Sequence, residues 1–161
     1  MNTRIKGQIE GWKFIQNLAF DVLKMLPDEQ LDFTVGKNMG TLGEQFRHII
    51  RVRTQYTEAI ENNKVADTIE KIDPNVARSK TKLLKLWEMA NQRLLSVLEN
   101  TDSEALEKKI IDWTHWGIES MNIHGHLNAL MDHENLHNGQ LIVYLRTMDL
   151  KFPKSWKSWG L

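Results

Sequence analysis

Residues 133–137 read His-Glu-Asn-Leu-His, with two imidazoles four positions apart. On a helix four residues is about 400° of rotation, so the rings stand about 40° apart, one turn along the same face. That spacing lets both reach a single divalent ion at about 2.0–2.1 Å. Two histidines rarely hold a metal alone, so the function turns on where a third ligand comes from.

The zinc-protease reading of His-Glu-x-x-His makes Glu134 a general base and places the third ligand downstream. Only 24 residues follow His137; they contain neither histidine nor glutamate, and Asp149 is their sole acid. The extended metzincin form also fails, because Gly139 is at the wrong step and Val143 stands where a histidine is needed. The third ligand must lie upstream, among His48, His115, His124 and His126. His48 sits on the edge of a helical apolar stripe. His126 precedes His133 by seven residues, on the same face about 10 Å away along the axis, too far for one ion but suited to a pocket wall. His124 reads as surface, and His115 lies between Trp113 and Trp116 in an irregular stretch.

Four stretches carry helical period and must position these groups. The first spans roughly 4–26, with Ile5, Ile9, Trp12, Ile15, Ala19, Val22 and Leu26 as its stripe, and Pro27 ends it. The second, 41–62, opens on Thr41 and Glu44, a capping box in which hydroxyl and carboxylate satisfy each other's backbone N–H groups. Residues 62–78 read as a connection, within which Asp73-Pro74 can start a short turn. The third, 79–99, buries Leu83, Trp87, Ala90, Leu94 and Val97; Thr101-Asp102-Ser103 breaks it. Residues 103–119 fit a short strand pair or an ordered loop. The fourth, 120–147, carries the histidine pair. The expected architecture is all-α: an up-down four-helix bundle with one longer helix 2–helix 3 connection, forming a single domain over 1–161. Bundles build metal sites in their cores from facing helices.

Composition narrows the function. With 21 Lys plus Arg against 21 Asp plus Glu, the chain lacks the basic excess of a nucleic-acid surface, and no nucleic-acid partner is expected. No apolar run approaches a membrane span, so no membrane partner is expected, and the N-terminal residues lack a signal-peptide pattern. There are no cysteines, which excludes disulfides, thiolate ligands and a protein-borne thiol nucleophile. A cytoplasmic location fits this usage.

Two segments resemble the DinB/YfiT-like family. Leu26-Pro27-Asp28-Glu29-Gln30-Leu31-Asp32-Phe33 and Met39 to Ile49 (MGTLGEQFRHI) are similar to its helix 1–helix 2 region, where a short S/T-x-G-E-L opening leads to a histidine. His133 to Arg146 (HENLHNGQLIVYLR) is similar to its H-E-x-H-H-R-G-Q-x-x-x-Y-L-R motif, and the likeness covers essentially the whole chain. The resemblance implies a bundle whose divalent ion, zinc or nickel, is held by His48, His133 and His137. It further implies metal-dependent transfer or isomerisation with low-molecular-weight thiols, or hydrolase-type chemistry, on a small-molecule substrate, and a homodimer. Leu136 and Asn138 depart from the motif, replacing a non-ligand histidine and an arginine.

Three imidazoles leave open positions on such an ion, at which water or a substrate thiol can lose its proton. Without cysteine, the thiol would have to be external. Glu44 fits its capping role, or that of an outer acceptor for an imidazole N–H. Glu134 fits a ligand-orienting group, a base, or an inter-helix carboxylate. The rival class is a non-enzymatic dimeric binding or stress-response module with a structural or vestigial metal. The tryptophans at 113, 116, 156 and 159 fit bundle caps or an aromatic wall over the metal mouth.

Overall fold

The computed structural model describes residues 3–68 and 71–161, residues 3 and 4 by backbone alone. Five α-helices are present: α1 Thr3–Met25, α2 Leu42–Asn62, α3 Lys80–Glu99, the short α4 Ser103–Lys108 and α5 Ile123–Thr147. The four long ones form the expected bundle. Three of them start where a side chain can replace a missing intrahelical acceptor. Thr41 and Glu44 make the full capping box of α2, Ser79 caps α3, and Asn122 caps α5 by accepting from Gly125 N at 2.9 Å. The last helix therefore begins at 123 rather than 120. Residues 121–122 are taken by strand β2 (Met121–Asn122), which pairs antiparallel with β1 (Ile110–Ile111). The 103–119 stretch thus holds the strand of a short pair, preceded by a helix that Asp102 caps.

The long connection has a topological consequence. Asp73 accepts from Asn75 N and opens a 3-10 turn over Pro74–Arg78. That turn sits against the beginning of α2, where a Cβ on Gly43 would stand 1.8 Å from the Ala77 carbonyl oxygen. Only glycine permits this approach. The chain after α2 therefore returns to the end at which α2 began, and α3 starts there. Leu42, Phe46, Leu83 and Trp87 share one core cluster with the C-terminal halves of α1 and α5. Ala59, Ile60, Leu94 and Leu98 share the other with Ile5, Ile9, Leu127 and Leu130. The order is up, down, down, up rather than strictly alternating, with α2 and α3 parallel.

Each end of the bundle is closed by a tryptophan. Trp113 caps the second cluster. Trp156, fully buried in the 3-10 turn Lys154–Trp159, donates from Nε1 to Leu18 O at 3.0 Å. Among the described residues, no helix is long and apolar enough to cross a membrane.

Candidate metal centre

Between the two core clusters, α2 and α5 bring three imidazoles together. His48 Nε2 and His137 Nε2 each lie 3.1 Å from His133 Nε2. One ligand atom from each of the three falls within 4.8 Å of the other two, and no further carboxylate or imidazole joins the cluster among the described residues. Nitrogens bound tetrahedrally at the usual zinc distance stand about 3.3 Å apart, so the spacing suits one ion with little movement.

The rings are held neutral, as ligands must be. Burial, then the charges of His137, Arg51 and Arg47, lower His48 from 6.5 to about 4. Burial, with His137, His48, Arg53 and Arg51, lowers His133 to about 3. Burial also lowers His137.

A chain of hydrogen bonds sets the tautomer of His137. The Tyr144 hydroxyl donates to Gly40 O, so it presents a lone pair to Gln45 Nε2 at 3.5 Å. The Gln45 amide oxygen then accepts from His137 Nδ1–H at 3.1 Å, leaving a lone pair on Nε2. His48 is held the other way. The Arg51 guanidinium can only donate, and its Nη2 lies 3.0 Å from His48 Nδ1, which leaves the ring proton on Nε2. His133 Nε2 therefore faces an N–H on one side and a lone pair on the other. No placement of one proton satisfies both contacts. A cation held by three lone pairs removes the conflict once Arg51 releases His48 Nδ1, so the donor set fits a divalent metal.

A profile of the DinB family matches residues 1–153. The chain belongs to the DinB family. Two solved DinB-like structures share its fold. One from Bacillus subtilis superposes with a TM-score of 0.73 at 18% identity, covering 92% of this chain and 97% of that one. One from Bacillus cereus ATCC 10987 superposes with a TM-score of 0.76 at 23% identity, covering 92% and 95%. No curated protein matches the chain significantly.

Glu44 is a cap, its Oε2 accepting from Thr41 N at 2.8 Å; Gln45, the next residue, takes the outer role beside an imidazole. Glu134 is an inter-helix carboxylate, 2.8 Å from Arg53 Nε with both side chains buried, and not part of the imidazole cluster. His126 is not a pocket wall. It is fully buried, accepting at Nδ1 from Trp113 Nε1 at 3.1 Å and donating from Nε2 to Tyr56 O at 2.9 Å. The face it shares with His133 is covered there by Trp113 and by Tyr56 of α2, which periodicity within one helix does not reveal. His124 is likewise buried rather than on the surface, and its Nδ1 meets the Gln8 side chain. His115 is exposed, beside Asp67.

The two departures from the DinB motif fall outside the cluster. Leu136 is 62% exposed. Asn138, at the arginine position, is buried and donates to Ile15 O at 3.1 Å. Positive charge at the site comes instead from α2. A cleft of about 300 Å³ opens beside His48, lined by Arg47, Arg51, Lys71, Ile72 and Pro74. The opening is thus on the side of α2 and the returning connection. Gln45 and both arginines carry no ligand signal in the sequence, although all three lie within one turn of His48.

Proposed function

We propose that this protein is a metal-dependent enzyme that activates a low-molecular-weight thiol, or water, for attack on a small electrophilic substrate: an S-transferase or a related hydrolase-type activity. The convergence of three neutral imidazoles with no fourth protein donor among the described residues carries this reading. Structural zinc sites close with four protein ligands, whereas reactive ones keep a position for substrate. A zinc or nickel ion bound here would supply Lewis acidity, lowering the pKa of a thiol or water on its open side.

The chain's own residues support that chemistry. Gln45, backed by Tyr144 and Gly40, holds the His137 ring with its Nε2 lone pair toward the cluster. Arg47 and Arg51 add positive charge beside His48, which favours an anionic nucleophile over its protonated form. The thiol must come from outside, because the chain has no cysteine.

Metal analysis of untagged protein, followed by cobalt substitution, tests the proposal. One equivalent of metal and a sulfur-to-cobalt charge-transfer band on adding a small thiol are expected. A spectrum unchanged at saturating thiol selects the structural-module reading instead. We also propose that two copies pair through the outer face of α5, where Leu136 and Val143 are 62% and 49% exposed around Gly139. Leu136→Asp should then yield monomers in light scattering.

A further inference from the structure

The cleft beside His48 continues into a larger one. The second, of about 490 Å³, runs between α2 and α3 under the returning connection and shares Arg51, Lys71 and Ile72 with the first. Its floor is apolar: Ile50, Val76 and Ala90 are buried, and Leu86 and Met89 flank them. Its acidic groups are engaged, Glu58 with Arg93 at 2.9 Å and Asp73 with the amide of Asn75.

Three cations stand where the two clefts meet. Among the described residues, Arg47, Arg51 and Lys71 have no carboxylate partner; the contact of Arg51 is with an imidazole. Arg51 Nε is buried without an acceptor. A buried guanidinium N–H with no acceptor is costly, and two arginines one turn apart repel each other. An anion at the junction relieves both. Ligation of a metal by His48 Nε2 reinforces this, since it puts the ring proton on Nδ1 and frees the Arg51 donor that now points there.

We infer that the substrate is an amphipathic organic anion. Its carboxylate or phosphate lies on Arg47, Arg51 and Lys71 beside the imidazole cluster, and its aliphatic or aryl body lies in the α2–α3 groove. The inference rests on the metal-site reading and adds to it the substrate class. The order along the cleft (imidazoles, cations, apolar groove) requires the reacting group to be near the anionic end of the molecule. Recognition then uses a bidentate-capable guanidinium for the head and apolar burial for the body.

Calorimetric titration of zinc-loaded and metal-stripped protein with octanoate, octyl phosphate, 1-octanol and acetate tests this, with metal content measured on the same samples. At least one octyl anion should bind saturably in both forms, and 1-octanol and acetate about tenfold or more weakly. Tighter binding of octyl phosphate assigns a phosphate monoester; tighter binding of octanoate assigns a carboxylate. Arg51→Gln and Met89→Asp should each weaken the anion about tenfold, while Lys108→Gln, on the exposed face of α4, should not. The inference is overturned if 1-octanol binds as well as octanoate, if Arg51→Gln behaves like Lys108→Gln, or if neither octyl anion binds. Anion binding in protein that takes up no metal defeats the metal reading alone. Metal uptake without anion binding defeats the substrate class alone.

Discussion

Arg53 Nε donates to Glu134 Oε1 at 2.8 Å, and both side chains are shut away from solvent in the centre of the bundle. Arg53 lies between two indoles, its guanidinium carbon 4.2 Å from the Trp87 ring centre and 5.4 Å from that of Trp12. It also donates to Asn91 Oδ1. The pair ties α2 to α5 one residue from His133, so it holds in register the two helices that must present their imidazoles together.

Breaking this pair from one side should be far worse than removing it whole. Glu134→Ala strands a buried guanidinium and should cost about 3–5 kcal/mol. Replacing both partners by apolar residues, Arg53→Met with Glu134→Leu, should cost much less than the sum of the single changes. Urea unfolding of the three variants measures this. Additive losses would show that the two side chains act independently.

Ligand and outer-partner roles separate by metal affinity. His48→Ala, His133→Ala and His137→Ala should each abolish stoichiometric binding of one divalent ion. Gln45→Leu, which removes the acceptor of His137 Nδ1–H, should weaken it about 10–100-fold. Glu44→Ala should cost about 0.5–2 kcal/mol of stability through the cap and leave metal affinity unchanged. A loss of affinity in the Glu44 variant equal to that in the Gln45 variant would reverse their assignments.

His126 should make stability pH-dependent. Burial lowers its folded-state pKa from 6.5 to about 4, against the opposing effect of the bond to the Tyr56 carbonyl, and a proton on Nδ1 would also displace the bond from Trp113. Below 6.5 the unfolded chain binds the proton first. The contribution of His126 is therefore full above that pH and is lost as the pH falls toward about 4. The shift corresponds to about 3 kcal/mol. Over that window, metal-stripped wild-type protein should lose more stability on acidification than His126→Gln. Parallel curves for the two would remove His126 as the cause.

Gly43 should be intolerant of even one methyl group. In Gly43→Ala the new carbon meets a backbone carbonyl at 1.8 Å, not a side chain that can swing away. The Pro74–Arg78 turn must lift, at about 1–3 kcal/mol. The same displacement moves Ile72 and Pro74 at the mouth of the cleft, so calorimetric binding of octyl anions should weaken as well.

Much of this protein is determined locally. The periods of the four long helices, the Thr41–Glu44 box and the position of Pro27 depend on neighbours a few residues apart, and each long helix lies within three residues of where those signals place it. The pairing of His133 with His137 is equally local, because helical rise and twist alone set it. Even the buried ion pair left a trace: Arg53 interrupts the apolar run of Ile49, Val52, Tyr56 and Ile60 on α2. Tertiary structure decided the rest. Which upstream histidine completes the cluster depends on how α2 and α5 face each other. So does the choice of Gln45 over Glu44 as the outer acceptor, made by a side chain 92 residues away. His126 is a core residue because Trp113 and Tyr56 close over it, and the cationic cleft exists because the Pro74–Arg78 turn is laid on Gly43 at the start of α2. Such relationships arise from the packing of distant segments, and periodicity along one helix carries no information about what will cover it.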